Sequence, residues 1–519
     1  MMLSAATTKS TRGRRKASTY SIPAPVGGWN VLDPLAGMKE RDAIVLENWF
    51  PKASDVVLRP GAENWATGAP TDVQTLLTWN GLASQKMFAA TATGIRDATT
   101  AGVMGASLST LTNGYLISTD FNVLGGAYLI AVNGVDKLKL YNGTVWADID
   151  AASVPAITGV VTTDLDYVAV LKRRLWFVRK NTMSAWYLPV AQIGGALVEF
   201  PMGQVFTKGG RLVAIGSWTI DGGAGSDDYG VFISSEGEVA VYQGSDPSSA
   251  ADWNLVGVYY IGEPLGKNCF CKYGGDLLIL TRNGLFPLSR ALQEASINKS
   301  KALSTKIDTA LIDAANQYGD NLGWSVTVFP QGGFLLVNVP IAVNYVQQYV
   351  MNTTTGAWCK FLGWNAHSWT VFNKKLYFAK GGDVAQAWKG LSDFGNLITG
   401  KAQQAYNDFR RPAQQKHYKL IRPILTSNGS LGVSLSLDVD YALSQNPSVT
   451  TPAAVGAAVW DGSVWDGDSW AGDAETRREW ASVFAREGYT AALRLQVATN
   501  AVSLSWSATD FVYEVGGIL

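Results

Sequence analysis

Five aspartates lie near predicted turns, and they are the acids with which this chain could cleave a glycosidic bond. Glycosidases use two carboxyl groups that flank the scissile bond, and the acids available for such a pair are Asp164, Asp166, Asp221, Asp227 and Asp228. The last three belong to a glycine-rich segment that is typical of a solvated loop rather than of a catalytic or calcium site. We therefore expect no catalysis from these aspartates.

Histidine, which hydrolase triads and most zinc sites need, occurs at two positions, His367 and His417. The two positions fall in different predicted domains. The sequence also contains no Gly-x-Ser-x-Gly elbow and no Gly-x-x-x-x-Gly-Lys phosphate loop. The sequence therefore predicts a protein that is not an enzyme and that uses no cofactor.

The three cysteines are Cys269, Cys271 and Cys359. The spacing of the first two places both side chains on one face of a strand, and no second close pair completes a zinc site. We predict reduced, structural thiols and no bound metal.

Composition favours an all-β chain with an unusual surface. The 519 residues include 54 glycines and 19 tryptophans, a pairing typical of tight turns between aromatic-rich strands. Lysine and arginine total 42 and match the 42 acidic residues, so net charge indicates no particular partner. Charged residues make up 16%, which suggests either a surface covered by partners or one large core. We expect no membrane span and no secretion, because no run of about 18 apolar residues and no signal-peptide core occurs.

A hairpin pattern organises the middle of the chain. Residues 229–244 place two β-rich runs around the turn Ser234–Gly237, and a hairpin cannot bury its apolar face alone. Similar units, many with an Asn-Gly turn and an aromatic second strand, recur from about residue 70 to 400. Their spacing of about 40 to 60 residues matches four-stranded blades, so we predict a β-propeller of six to eight irregular blades over 67–400. A string of β-sandwiches is the competing fold.

The regions around this propeller differ from it. Residues 1–20 are predicted to be a disordered basic arm, in which Arg12, Arg14, Arg15 and Lys16 either contact phosphate or an acidic protein surface or are simply solvated. Residues 21–66 are irregular and aromatic, which is typical of a segment that docks on its own chain or on a neighbour. Near 300–318 the apolar spacing predicts a helical insertion of about 14 residues, with Ser304 or Thr305 as its cap.

Residues 401–519 are predicted to form a second, β-sandwich-like domain, because runs such as 433–441 and 491–497 alternate cleanly. Within it, Trp460, Trp465 and Trp470 recur every five residues, a spacing that fits turns rather than a helix or strand. These tryptophans either pack on the sandwich or contact a neighbouring subunit, and the aspartates between them are an alternative calcium site.

The two ends of the chain resemble structural proteins of short-tailed bacteriophages. The residues that carry the resemblance are 25–38, Asp42-Ala43 and Asn48–Pro51 near the start, and the Trp-Asp repeat and 510–517 near the end. The layout is similar to the tail nozzle, or tail tubular protein B, family, in which N- and C-terminal parts form a platform beside a propeller. The resemblance implies a homo-hexameric ring below the adaptor that joins the portal, and a conduit for passing double-stranded DNA.

Membership of that family would make this a virion protein of the phage tail, made in the host cytoplasm. Its partners would be itself, the tail adaptor or head-to-tail connector proteins, and tail fibre proteins. The candidate assembly residues are aromatic: Trp29, Trp49, Phe50, Trp460, Trp465 and Trp470. The rival hypothesis is a sugar-binding, receptor-recognition propeller in which tryptophans in turns stack on sugar rings.

Overall fold

The computed structural model describes residues 17–221, 226–291, 299–429, 431–442, 475–477 and 480–516. The fold is all β, with 53% strand and 6% helix. Seven small antiparallel sheets follow one another along the chain as the blades of a β-propeller, and strands from both end regions form a platform beside it. The predicted fold class is confirmed, and seven blades fall within the predicted six to eight.

Six strands precede the first blade in the part of the chain that is described from residue 17 onward. The first five belong to the platform and the sixth to the propeller, and they are β1 (Ala17–Pro23), β2 (Gly28–Trp29), β3 (Asp42–Glu47), β4 (Trp49–Pro51), β5 (Val56–Leu58) and β6 (Ala62–Thr67).

Blades 1 to 4 follow in chain order. Blade 1 contains β7 (Val73–Asn80), β8 (Gln85–Thr91) and β9 (Gly94–Asp97), and the short β10 (Gly102–Val103) comes next. Blade 2 contains β11 (Ile117–Val123), β12 (Gly126–Val132), β13 (Leu138–Tyr141) and β14 (Trp146–Ile149). Blade 3 contains β16 (Leu165–Leu171), β17 (Arg174–Arg179), β18 (Ser184–Tyr187) and β20 (Val198–Pro201). Two short strands outside this blade, β15 (Ile157–Thr158) and β19 (Gly195–Ala196), pair with each other. Blade 4 contains β21 (Leu212–Asp221), β22 (Ser226–Ser234), β23 (Glu238–Gln243) and β24 (Asn254–Tyr260).

Blades 5 to 7 complete the propeller. Blade 5 contains β25 (Phe270–Tyr273), β26 (Asp276–Thr281) and β27 (Gly284–Pro287), and it leads to the helices α1 (Leu288–Ala291) and α2 (Asp308–Tyr318). Blade 6 contains β28 (Ser325–Phe329), β29 (Phe334–Ala342), β30 (Tyr345–Asn352) and β31 (Trp358–Phe361). Blade 7 contains β32 (Ser368–Phe372), β33 (Lys375–Lys380) and β34 (Asp383–Ala387). In the described ranges, 3-10 turns connect elements at Thr162–Asp164, Lys299–Lys301, Thr305–Ile307 and Pro330–Gly332.

The blades close into a ring. The first strand of each blade contacts the first strand of the next, in the order β7, β11, β16, β21, β25, β28 and β32, and β32 contacts β7 again. Apolar side chains fill the spaces between blades, so each sheet buries both faces against its neighbours. These contacts explain why a chain with few charged residues forms a propeller, since the sheet faces need no polar covering.

Blade 7 is completed by a strand from the other end of the propeller. Strand β6 pairs antiparallel with β34, and Ala62 lies opposite Ala387 while Ala66 lies opposite Val384. The ring is thus closed by main-chain hydrogen bonds as well as by side-chain packing. The propeller therefore begins at Ala62, five residues earlier than the predicted boundary of 67.

The hairpins predicted from the sequence are confirmed. In the one between β22 and β23, the Gly237 N–H donates to the Ser234 carbonyl at 3.1 Å, and Gly237 has a φ of 81°. A Cβ at this glycine would lie 2.2 Å from the Gly262 carbonyl carbon, so both the backbone conformation and the close approach require glycine here.

The platform is a two-layered sandwich drawn from both end regions. Its later strands are β35 (Ile398–Gln404), β36 (Lys416–Ser427), β37 (Val433–Val439), β38 (Glu475–Arg477), β39 (Ala481–Gly488), β40 (Ala491–Thr499) and β41 (Leu504–Val515). One sheet contains β36, β38, β39 and β41 with the early strands β1, β4 and β5, and the other contains β35, β37 and β40 with β2 and β3. Side chains of both sheets share one apolar core.

The second platform sheet continues into the propeller. Strand β31 of blade 6 pairs in parallel with β3 at Lys360 and Glu47, and β3 pairs in turn with β35. The result is a single nine-stranded sheet that runs from blade 6 into the platform. Because β35 belongs to this sheet, the platform begins at Ile398 rather than at the predicted residue 401.

Two further predictions are corrected. The helix α2 begins at Asp308 and has 11 residues, because Thr305–Ile307 forms a 3-10 turn. The Ser304 hydroxyl does not cap the helix: it accepts from the Leu285 N–H at 3.1 Å and donates to the Asp308 carboxylate at 2.7 Å. The predicted disordered arm does not extend to residues 17–20, which lie in β1, where Tyr20 packs edge-on against Phe409 with ring centroids 5.6 Å apart.

Candidate functional site

A cavity of about 680 Å³ lies on the axis of the propeller. The first strand of every blade contributes to its wall, near the end at which that strand begins: Thr75, Ile117, Asp166, Leu212, Phe270, Val326 and Ser368. The loops between blades form its rim. Seven inward-pointing strands thus bring residues that are far apart in sequence to one place, which is why the sequence did not predict this cavity.

Charges on the cavity wall are arranged in pairs. The Lys267 ammonium lies 3.0 Å from the Asp166 carboxylate, and Arg282 lies 2.9 Å from Glu263 and 2.8 Å from Asp320. The Oδ1 atom of Asp166 is buried and accepts no hydrogen bond from any residue that the structure describes. The cavity is therefore close to neutral, and its wall contains one buried carboxylate oxygen without a donor among the described residues.

Aromatic rings line part of the same cavity. The Trp369 indole N–H donates to Asn338 Oδ1 at 2.9 Å, and the Trp324 indole N–H donates to the Tyr318 carbonyl at 2.9 Å. The Trp324 and Trp369 rings are held by their N–H groups and are buried, with 2% and 8% of their surfaces exposed, so they leave little ring face open to the cavity. Partial burial lowers the pKa of the neighbouring His367, which favours its neutral form at pH 7.

The predicted acidic residues do not form a catalytic pair in the described part of the chain. Asp164 lies 3.1 Å from Lys180 and 3.3 Å from Arg179, and its pKa is lowered chiefly by the hydrogen bond from Lys180. Asp228 accepts a hydrogen bond from the Thr219 hydroxyl at 2.6 Å. Asp221 and Asp227 belong to β21 and β22, and their side chains lie outside the described part of the structure. A glycosidase acid needs a raised pKa, and the shift at Asp164 is in the opposite direction.

Histidine and cysteine also lie apart. His417 is on the platform, with Nδ1 2.7 Å from Glu487, far in sequence from His367 in the propeller. Cys269 and Cys359 are buried, Cys271 is half-buried, and all three are free thiols. Among the described residues, no group of three histidine, cysteine, aspartate or glutamate side chains could hold a metal ion.

The predicted assembly aromatics Trp29, Trp49 and Phe50 lie inside their own chain, with 6%, 0% and 3% of their surfaces exposed. The Phe50 ring packs edge-on against the Trp388 ring of the propeller, with ring centroids 5.5 Å apart. The segment 21–66 therefore docks on its own chain. The prediction that these three side chains form an assembly interface is wrong, because they lie in the core of the subunit. Trp460, Trp465 and Trp470, and the arm residues Arg12, Arg14, Arg15 and Lys16, lie outside the described residues.

A buried ion pair joins the platform to the propeller. Arg59, in the turn after β5, lies 2.5 Å from Asp393 and has a fully buried side chain. Its guanidinium also donates to Asn48 Oδ1 at 2.8 Å and to the Leu362 carbonyl at 2.7 Å. The Arg59 guanidinium carbon lies over the Trp364 ring, 4.3 Å from the ring centroid. Sequence analysis missed this network, although an arginine between the apolar residues 56–58 and Pro60-Gly61 was a usable signal.

Comparisons with known proteins give a fold likeness and no family. No family model matches the chain, and no curated protein matches it. Among solved structures, the chain is similar to the Cps50 (Swd1) β-propeller domain of Myceliophteria thermophila, with 13% identity, a TM-score of 0.41, and coverage of 63% of this chain and 98% of that one. It is similar to BBS1N in complex with ARL6DN, with 10% identity, a TM-score of 0.37, and coverage of 63% and 97%.

A third likeness is to Chaetomium thermophilum Raptor, with 12% identity, a TM-score of 0.37, and coverage of 63% of this chain. This chain spans 30% of that protein's length. At such scores we draw no argument about function, and the propeller assignment rests on the sheets described above. A search of the described helices finds none long and apolar enough to cross a membrane.

Proposed function

We propose that this protein is a structural subunit of the tail nozzle of a short-tailed bacteriophage, forming a homo-hexameric ring below the tail adaptor. The observation that carries the proposal is the platform, in which both motif segments that resemble phage proteins come together. Residues 25–51 supply β2, β3 and β4, and residues 510–516 lie in and just after β41. One module built from both segments is the expected surface for the adaptor and for neighbouring copies.

The connection between platform and propeller supports a mechanical role. The nine-stranded sheet through β31 and β3 and the buried Arg59–Asp393 pair join the two parts by main-chain and side-chain bonds. A subunit of a conduit must keep its shape while DNA passes. Two parts connected by a continuous sheet satisfy that need better than two domains on a linker.

The equal numbers of basic and acidic residues fit a conduit that binds the passing DNA weakly. Each fixed cation that contacts a phosphate adds affinity through counterion release, and such contacts slow passage. The chain has equal numbers of basic and acidic residues. We infer that double-stranded DNA passes without sequence specificity, and that the basic arm meets either DNA or an acidic protein surface. The protein then acts in the virion after synthesis in the host cytoplasm, beside connector and tail fibre proteins, and catalyses no reaction.

The direct test is imaging of virions of a short-tailed phage that carries this gene. Density for the platform and a seven-bladed propeller in the ring below the adaptor would support the proposal. Copies confined to the periphery of the tail, or absent from the particle, would refute it. An amber mutant gives the matched control, since particles without this protein should lack that ring and still contain the portal.

The second candidate is a sugar-binding propeller, and the axial cavity favours it. Its wall includes the Tyr115 ring, which is 36% exposed, and Asp166, whose Oδ1 atom has no donor among the described residues. Sugars are recognised by such a combination of ring faces and hydrogen-bond acceptors. A glycan array is the test, with Asp166→Asn as the matched variant. Binding that the variant loses would favour this candidate, and no binding to any glycan would count against it.

A further inference from the structure

One end of the platform carries a group of exposed basic side chains, which we call the basic patch. In the described ranges none of them forms an ion pair with a carboxylate: Lys39, Arg41, Arg410, Arg411 and Arg486. Other cations of the chain are paired, as Lys139 is with Asp148 and Arg422 is with Asp510. In a chain whose charged residues make up 16%, such a grouping indicates a surface for an anionic partner.

The turn that carries the two adjacent arginines is held in one conformation. Phe409 and Arg410 have φ values of 56° and 59°, in the left-handed region that side chains other than glycine rarely adopt. The Phe409 ring is buried against those of Phe511 and Tyr513, with centroids 5.2 Å apart in both cases, and the Arg410 N–H donates to the Asp408 carboxylate at 2.8 Å. A strained turn persists where its surroundings fix it, so both guanidinium groups extend from a fixed backbone.

A buried lysine holds the other end of this turn. The Lys416 side chain is fully buried, and its Nζ donates to the carbonyl oxygens of Arg411, Gln414 and Tyr489 at 2.7 Å, 3.0 Å and 2.7 Å. Within the described ranges this ammonium forms no ion pair with a carboxylate. Its charge therefore adds to the positive potential of the exposed cations around it.

Hydrogen bonds direct the acids of the same surface toward their own chain. The Asp440 carboxylate accepts main-chain N–H groups at 2.8 Å and 2.9 Å, and Asp408 accepts one at 2.8 Å. Glu40 accepts from the Tyr20 hydroxyl at 3.4 Å, and Glu487 lies 2.7 Å from a histidine ring nitrogen. The charges that remain free to meet a partner are therefore mainly positive.

The basic patch extends across one sheet of the platform. Arg486 lies on β39 at one edge, and β36, β41 and β1 follow in that order. Arg410 lies beside β1, with its guanidinium carbon 5.8 Å from the centroid of the Tyr20 ring. Glu40, which separates the other two cations in sequence, accepts a bond from the Asn407 amide of the same turn at 3.2 Å. Three strand spacings of about 4.8 Å make the patch about 14 Å wide.

We propose that the basic patch is the surface with which the platform contacts the phosphates of double-stranded DNA. The inference rests on the proposed function, because duplex DNA is the polyanion that passes a conduit subunit. A duplex carries one phosphate charge per about 3.4 Å along each strand, so separate cations spread over about 14 Å suit this repeated anion better than a single carboxylate. Guanidinium groups pair with phosphate through two hydrogen bonds and read no sequence.

The salt dependence of DNA binding tests the inference. The full-length protein is titrated onto a fluorescently labelled duplex of arbitrary sequence, and binding is read by anisotropy at several salt concentrations. Each phosphate contact contributes about 0.9 to the slope of log K against log salt. Arg410→Ala/Arg411→Ala should reduce that slope by about 1.8, so between about 50 and 200 mM salt the variant should lose about twelvefold less affinity than the wild type.

Two matched variants isolate the charge of this turn. Lys374→Ala/Lys375→Ala removes two adjacent exposed cations from a turn of blade 7, where Lys374 also has a left-handed φ of 61°, and it should keep the wild-type slope. Arg410→Lys/Arg411→Lys keeps both charges and should also keep the slope. Since both arginines are exposed, all three variants should retain the wild-type midpoint of urea unfolding.

Three results would overturn the inference: no binding of the wild-type protein to the duplex, a wild-type slope in the arginine-to-alanine variant, or an equal fall in the blade 7 variant. Tighter binding to poly-glutamate than to the duplex would also overturn it, because an acidic protein surface would then be the partner. Rings seen by imaging together with any of these results would leave the nozzle proposal intact. DNA binding through Arg410 and Arg411 by a protein that never forms rings would refute the nozzle and retain the DNA contact.

Discussion

Replacing Arg59 by alanine should destabilise the protein more than any exposed charge substitution. Arg59 makes five hydrogen bonds, to Asn48, Pro60, Leu362 and both oxygens of Asp393. Its side chain is fully buried and that of Asp393 is 11% exposed. The alanine variant would leave the Asp393 carboxylate with the Trp364 indole N–H, at 3.1 Å, as its remaining side-chain donor.

The expected loss of stability follows from the Asp393 carboxylate, which would stay buried without its cationic partner. Removing one partner of a buried ion pair costs about 3–5 kcal/mol, because the remaining charge is desolvated without compensation. The prediction for Arg59→Ala is therefore a loss of about 3–5 kcal/mol in the free energy of unfolding. Arg59→Met/Asp393→Leu removes both charges and keeps most of the volume, so it should recover a large part of this loss.

Urea unfolding followed by tryptophan fluorescence is the assay, because many of the 19 tryptophans are buried in the native fold and become exposed when it unfolds. Lys137→Ala is the matched control: its pair with Asp150 is 2.6 Å long but 49% and 30% exposed. Exposed pairs contribute about 1 kcal/mol or less. An Arg59→Ala variant within about 1 kcal/mol of the wild type would refute the reasoning, because Asp393 would then not depend on this partner.

Three further predictions concern the core and its titratable groups. Trp49→Ala should cost about 3–5 kcal/mol in the free energy of unfolding measured by urea titration, since the side chain is fully buried; a loss confined to ring assembly would contradict its place in the core. His367 has a pKa lowered by burial from 6.5, so the unfolded chain binds its proton first as pH falls. The free energy of unfolding should therefore decrease from about pH 7 to pH 5, and less steeply in His367→Asn; parallel profiles would contradict this. Burial raises the pKa of Cys269 to about 12 and of Cys271 to about 11, so iodoacetamide should label them slowly in the native protein and quickly in urea. Fast native labelling, read by mass spectrometry, would contradict that burial.

Local patterns predicted the hairpins well, because a turn such as Asn80-Gly81 and its flanking strands are contiguous in sequence. They did not predict ring closure by β6 and β34 or the parallel junction of β3 and β31, since those partners are separated by hundreds of residues. Pairing at such separation depends on the whole fold rather than on local preference.

The same limit applies to the candidate sites. The axial cavity collects residues from seven separate blades, and the Arg59–Asp393 pair joins positions 334 residues apart. Composition left open whether the aromatic residues fill a core or cover an interface, because it cannot distinguish a core tryptophan from one at an interface. Trp49 illustrates this, since it lies among apolar residues of its own chain, with its ring 6.0 Å from that of Trp506.

Single-particle imaging of the purified full-length protein tests the central claim most directly. The account predicts rings of about six copies with an axial channel, in which each subunit shows a seven-bladed propeller joined to a sandwich. Particles that remain monomeric propellers under all conditions of salt and concentration would contradict it, and the sugar-binding candidate would then take its place.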